Sequence, residues 1–90
     1  MSEQDTPPLI DFPCFFAIKV MGDSSQVFIE TIKVLVKTHV PEFSDDDLDT
    51  RESSSGKYIS LTCNVWVTSQ DHLDTVYRSV TSHPLVKYVL

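Results

Sequence analysis

From Tyr58 to Val67 the chain alternates without a break. Ile59, Leu61, Cys63, Val65 and Val67 are apolar, and Ser60, Thr62, Asn64 and Trp66 stand between them. Successive side chains of a β-strand point to opposite faces, so this run specifies a strand with one face to bury. Such a strand cannot satisfy itself, because its apolar face needs a cover. In a chain of 90 residues there is room for one core to provide it.

The rest of the sequence supplies that cover. Phe15 to Met21 repeats the two-residue period, with Phe16, Ile18 and Val20 on one side and Ala17 and Lys19 on the other. The period then lengthens. Phe28, Ile32, Leu35, Val36 and His39 recur at the i, i+4, i+7 spacing of a helix with one buried stripe, which Val27 and Ile29 widen. Asp23-Ser24-Ser25-Gln26 is a helix-start signal, with Asp23 and Gln26 at capping-box spacing, and Pro41 ends the helix. Leu73, Val76, Tyr77 and Val80 form a second stripe, opened by Thr68 with Asp71 and closed before Pro84. Between the helices lie an acidic turn, Glu42 to Asp47, and a strand over about Leu48 to Ser53. Ser54-Ser55-Gly56-Lys57 then makes a hairpin connection, with Gly56 free to take positive φ. Leu85 to Leu90 returns as the last strand. Residues 1–11, polar, acidic and carrying prolines, read as a flexible arm, which leaves residues 12–90 as a single domain.

Strand, helix, strand, strand, helix, strand is the order of an α+β, ferredoxin-like split βαβ fold. It predicts a four-stranded antiparallel sheet with two helices on one face. The first and third strands should be central and the other two at the edges. The reverse face should carry Ala17, Lys19, Ser60, Thr62, Asn64 and Trp66, small and polar with one large aromatic.

The chemistry of the chain is sparse. Thirteen acidic against seven basic side chains give a formal charge of −6, a field that repels phosphate and anionic lipid. Two cysteines, Cys14 and Cys63, are too few for a disulfide scaffold and read as small core hydrophobes in a reducing, cytoplasmic setting. The start has neither the positive charge nor the apolar run of a signal peptide, and no stretch is apolar for long enough to span a membrane. His39, His72 and His83 lack the one-turn spacing of a metal pair, and Asp45, Asp46, Asp47 and Asp49 lack the central glycine of a calcium loop. No metal, cofactor or catalytic group is expected. Two candidate sites stand out. Gly22, Asp23, Ser24 and Ser25 join a strand to a helix N-terminus, where free N–H groups can hold an anion. Lys19 and Trp66 lie on the polar sheet face, where an exposed tryptophan would serve as an interaction hot spot.

Four segments carry a resemblance: Phe12-Pro13, Ile18-Lys19-Val20-Met21-Gly22, Ser54-Ser55-Gly56-Lys57-Tyr58 and Leu85-Val86-Lys87-Tyr88-Val89-Leu90. In this order and spacing they resemble the YbeD family, a group of short bacterial proteins of unassigned function. The resemblance covers about residues 10–90 and implies a ferredoxin-like fold similar to ACT-type regulatory domains, with no catalytic motif. ACT-type domains bind small amino acids near the first strand-to-helix turn, usually across a dimer interface. The expected function is therefore a non-enzymatic regulatory or protein-interaction module with an unknown protein partner and the option of a homodimer. The alternative is an amino-acid sensor acting at Gly22 to Ser25. Neither nucleic acid nor membrane is an expected partner.

Overall fold

Two strands of ten residues, β1 (Cys14–Asp23) and β3 (Tyr58–Val67), pair antiparallel along their whole length, from Cys14 opposite Val67 to Asp23 opposite Tyr58. They form the centre of the sheet in the computed structural model, which describes residues 11–89. Two shorter strands flank them, β2 (Leu48–Glu52) on β3 and β4 (Val86–Val89) on β1, giving the order β2-β3-β1-β4, antiparallel throughout. Helices α1 (Gln26–His39) and α2 (Gln70–Thr81) make the two crossovers. This is the expected ferredoxin-like arrangement. The arm expected over residues 1–11 lies, apart from Asp11, outside the described residues, as does Leu90.

The alternation sorts the sheet into a dry face and a wet one. Ile18 and Val20 of β1 and Ile59, Leu61, Cys63, Val65 and Val67 of β3 are buried. They share one cluster with Phe28, Ile32 and Val36 of α1 and Leu73, Val76 and Val80 of α2. Phe15, Ala17, Lys19 and Asn64 point the other way and are exposed. Both helices therefore cover a single side.

Four local expectations are corrected. Asp23 does not cap α1. It remains in β1 opposite Tyr58, and the Ser24 N–H is still held by the Lys57 carbonyl at 3.0 Å, so the chain leaves the sheet only at Ser25. Ser25 is extended, and its Oγ accepts from the Phe28 N–H at 3.1 Å, the geometry of an N-cap. Likewise Ser69, not Thr68, caps α2, because His72 Nδ1 holds the Thr68 N–H at 3.1 Å while Ser69 Oγ accepts from His72 N–H. Val27 does not widen the buried stripe. It is 67% exposed, since it lies a step round the helix from Phe28 and away from the sheet. Tyr77 sits at the edge of its stripe and is 40% exposed.

The acidic turn contains more structure than a solvated loop. Phe43 folds into the core, and Asp45–Asp47 forms a short 3-10 turn in which Asp47 accepts from the Ser44 N–H at 3.1 Å. Asp45 reaches back to Lys33 of α1 at 2.9 Å, and that hydrogen bond, ahead of the charge attraction, holds the Lys33 ammonium above its ordinary pKa.

Candidate functional site

The turn after β1 is closed by its neighbours. Gly22 is buried, and a Cβ there would lie 2.6 Å from Phe28 Cε1, 2.7 Å from Cζ and 2.8 Å from the Leu85 carbonyl. The ring of α1 occupies the space that any larger residue would fill. Asp23 faces Lys87 of β4 at 3.9 Å. Ser24 Oγ donates to Glu52 Oε2 at 2.6 Å, and Ser25 Oγ is spent on the helix cap. The structure thus brings Asp23, Ser24 and Ser25 together with Glu52, Lys57 and Lys87. These three partners come from the hairpin and the last strand, and no local pattern in the sequence announces them. Two carboxylates, Asp23 and Glu52, flank the turn, so an anion approaching the α1 N-terminus meets like charge.

The open face of the sheet holds a different arrangement. Phe15 lies directly across from Trp66, and the two rings meet edge to face with centroids 4.9 Å apart and planes at 64°. Trp66 is half-buried against its neighbours, whereas Phe15 is 63% exposed. Beyond this pair the rungs are Ala17 with Asn64 and then Lys19 with Thr62, so Lys19 is separated from the aromatics by one small polar rung. Phe15 escapes a reading that begins the alternation at Phe16, yet the same period places it beside Ala17 and Lys19. At the far end, Met21, Arg51, Tyr58 and Ser60 border a shallow cleft of about 540 Å³, and Lys57 Nζ stands 5.9 Å from the Tyr58 ring centroid.

Neither thiol forms a disulfide. Desolvation pushes the Cys63 thiol up to about 12, which keeps it protonated and unreactive at neutral pH. Cys14 is half-buried opposite Val67. Among the described residues no three His, Cys, Asp or Glu side chains converge to hold a metal ion. No helix among them is long and apolar enough to cross a membrane.

His72 has a structural task that its sequence position does not reveal. Nδ1 accepts from the Thr68 N–H at 3.1 Å, so Nε2 carries the proton and donates to the His39 carbonyl at 2.8 Å. One imidazole joins the start of α2 to the end of α1. His72→Ala is expected to cost roughly 1–3 kcal/mol, because it leaves the partly buried His39 carbonyl without that donor. Urea denaturation measures this, and wild-type stability would show that the bridge contributes nothing.

Comparison with known proteins places these features in a lineage. Residues 7–90 match the family model described as "Protein of unknown function (DUF493)". A UPF0250 protein of Janthinobacterium sp. is 50% identical over 91 residues, covering all of both chains. The UPF0250 protein NE1487 of Nitrosomonas europaea is 44% identical over 82 residues, covering 91% of this chain and 94% of its own. Among solved structures, the solution structure of protein HP0495 from H. pylori superposes with a TM-score of 0.82 at 20% identity, covering 100% of this chain and 94% of that one, a likeness of fold. On the match across residues 7–90 and on these full-length relatives, the chain belongs to the DUF493 family of short bacterial proteins, whose function is unknown.

Proposed function

We propose that the chain is a small non-enzymatic regulatory or protein-interaction module that recognises a partner protein through the open face of its sheet. The observation that carries this reading is the Phe15–Trp66 pair. A scattered exposed hydrophobe is ordinary, but here a phenylalanine exposed over 63% of its surface sits against a tryptophan, and the rungs next to the pair, Ala17 with Asn64 and Lys19 with Thr62, carry no other large apolar group. Aromatic side chains with a rigid, partly desolvated setting dominate the energetics of protein interfaces. Lys19 on the same face provides one cation at the rim. The formal charge of −6 weighs against nucleic acid and anionic lipid as partners, and against self-association at low salt. Two free thiols suit a reducing compartment such as the cytoplasm. The amino-acid sensor reading is the weaker one, because the Ser24 N–H and hydroxyl are engaged, Ser25 Oγ is spent on the helix cap, and the carboxylates of Asp23 and Glu52 flank the turn.

Quantitative affinity capture from the native cell extract tests the proposal. Wild type, Phe15→Ala, Trp66→Ala and the helix-surface control Val34→Ala are compared at equal loading, with folding checked by circular dichroism. A specific partner is expected to be retained by wild type and control and reduced about ten-fold or more by either aromatic truncation. Equal retention by all four proteins would remove the open face from consideration.

A further inference from the structure

β1 is longer than the strand beside it. All ten of its residues pair with β3, but on its other side β4 reaches only Val20, Met21 and Gly22. Among the described residues nothing pairs with Cys14–Ile18 on that side, which leaves a strand edge with outward-facing backbone N–H and C=O groups. The two edges of the sheet are treated differently. β2 carries Asp49, Arg51 and Glu52, all exposed, and follows the acidic Asp45–Asp47 turn, the charged edge that natural sheets use to deter an added strand. The Cys14-Phe15-Phe16-Ala17-Ile18 edge contains no charge, no proline and no glycine. It is also apolar on both sides. Phe15 lies on the open face, and beneath the edge a cleft of about 280 Å³ between β1 and α2 is lined by Phe16, Leu73, Asp74 and Tyr77. An unpaired strand edge alongside a helix, with an apolar cleft between them, is the setting in which an extended peptide adds to a sheet.

We propose that this edge takes an extended segment of a partner protein as an additional strand. Apolar side chains of the segment enter the Phe16–Tyr77 cleft, the alternate ones lie against Phe15, and a basic side chain faces Asp74. This rests on the reading of the chain as an interaction module. Charge selects the occupant. The cleft's one ionisable side chain of either sign, apart from the phenol of Tyr77, is the carboxylate of Asp74, and the molecule as a whole carries −6. A second copy brings the same −6. Residues 1–11 contain Glu3, Asp5 and Asp11 and no Lys or Arg. A basic foreign segment is the one occupant that the electrostatics favour.

The probe is a ten-residue peptide of alternating valine and threonine, capped at both ends, in which one central valine is replaced by lysine so that apolar and basic side chains share the cleft-facing side, compared with its glutamate-for-lysine analogue. Binding is followed by NMR titration and by amide exchange of the full chain. The lysine peptide is expected to slow exchange of the outward-facing amides within Cys14–Ile18 and to bind about ten-fold or more tighter than the glutamate peptide. N-methylation along one edge of the peptide should abolish binding and along the other edge should not, a control that leaves the protein unaltered. Asp74→Lys should reverse the charge preference. Equal binding of both N-methylated forms, or shifts confined to other strands, overturns the proposal. So does protection of the same amides without peptide, whether lost on dilution, which would identify a second copy, or on deletion of residues 2–10, which would identify the arm. If Trp66→Ala abolishes partner capture while the peptide never binds, the edge proposal alone falls. If the peptide binds while capture is indifferent to Phe15 and Trp66, the open-face reading falls instead.

Discussion

Phe28→Ala is expected to lower the free energy of unfolding by roughly 3–5 kcal/mol, the cost of truncating a fully buried phenylalanine in a packed core. The ring is 1% exposed and fills the space over Gly22 where α1 leaves the sheet. A domain of this size has only about 5–10 kcal/mol in total, so the variant should lose a large share of its stability. Gly22→Ala attacks the same contact from the other side. Its methyl would lie 2.6 Å from Phe28 Cε1 and 2.8 Å from the Leu85 carbonyl, and the expected cost is roughly 1–3 kcal/mol for overpacking. The two positions should couple. On a Phe28→Leu background, whose shorter side chain vacates part of that space, Gly22→Ala should cost less than it does alone, by roughly 0.5 kcal/mol or more. Urea denaturation of wild type, both single variants and the double variant closes this cycle. Strict additivity would show that glycine and ring do not share the space, and a wild-type-like Phe28→Ala would place the ring outside the core.

The same contact marks what the sequence can and cannot disclose. Periods of two and of about three and a half residues are imposed by backbone geometry, so β3 is legible to its end residues, and the stripes of both helices name Phe28, Ile32, Val36, Leu73, Val76 and Val80 as core. The order of those periods yields the strand order as well. The start of α1 is shifted for a reason that is not local. Asp23 is a good cap by chemistry, but pairing with Tyr58 holds it in β1, and the cap passes to Ser25. Tertiary pairing overrode a local preference. Phe43 is hidden for a related reason: it stands in a run of acidic and turn residues, and its burial depends on the turn that Ser44 and Asp47 close and that Asp45 ties to Lys33.

The surface features divide along the same line. The open face is legible because alternation specifies both faces at once, and Phe15 follows from that rule as surely as Ala17 or Lys19 does. Its contact with Trp66 requires the register, which sequence spacing does not provide. The edge of β1 that the described residues leave unpaired also depends on where β4 pairs, and on the register shift between Met21 and Gly22. Glu52, Lys57 and Lys87 gather around the first turn only once β2, β3 and β4 are aligned. Residues that act through their own strand or helix can be read beforehand, and residues that act across strands cannot.

Val65→Asp and Asn64→Asp place the same carboxylate on adjacent residues of β3 and should differ widely in their effect on stability. Val65 is fully buried opposite Phe16, in a core whose described residues include no buried polar or charged side chain. A carboxylate there meets no hydrogen-bond donor or cation, and the expected cost exceeds about 4 kcal/mol, enough to leave the chain largely unfolded at neutral pH. Asn64 is exposed on the opposite face, across from Ala17, and its substitution should stay within about 0.5 kcal/mol of wild type. Thermal melts followed by circular dichroism, with amide NMR spectra at room temperature, read the contrast directly. Similar melting temperatures for the two variants would mean that β3 does not separate a covered side from a wet one. The Phe15–Trp66 surface and the strand-addition edge would then lose their footing together, because both depend on the helices lying on the other side of the sheet.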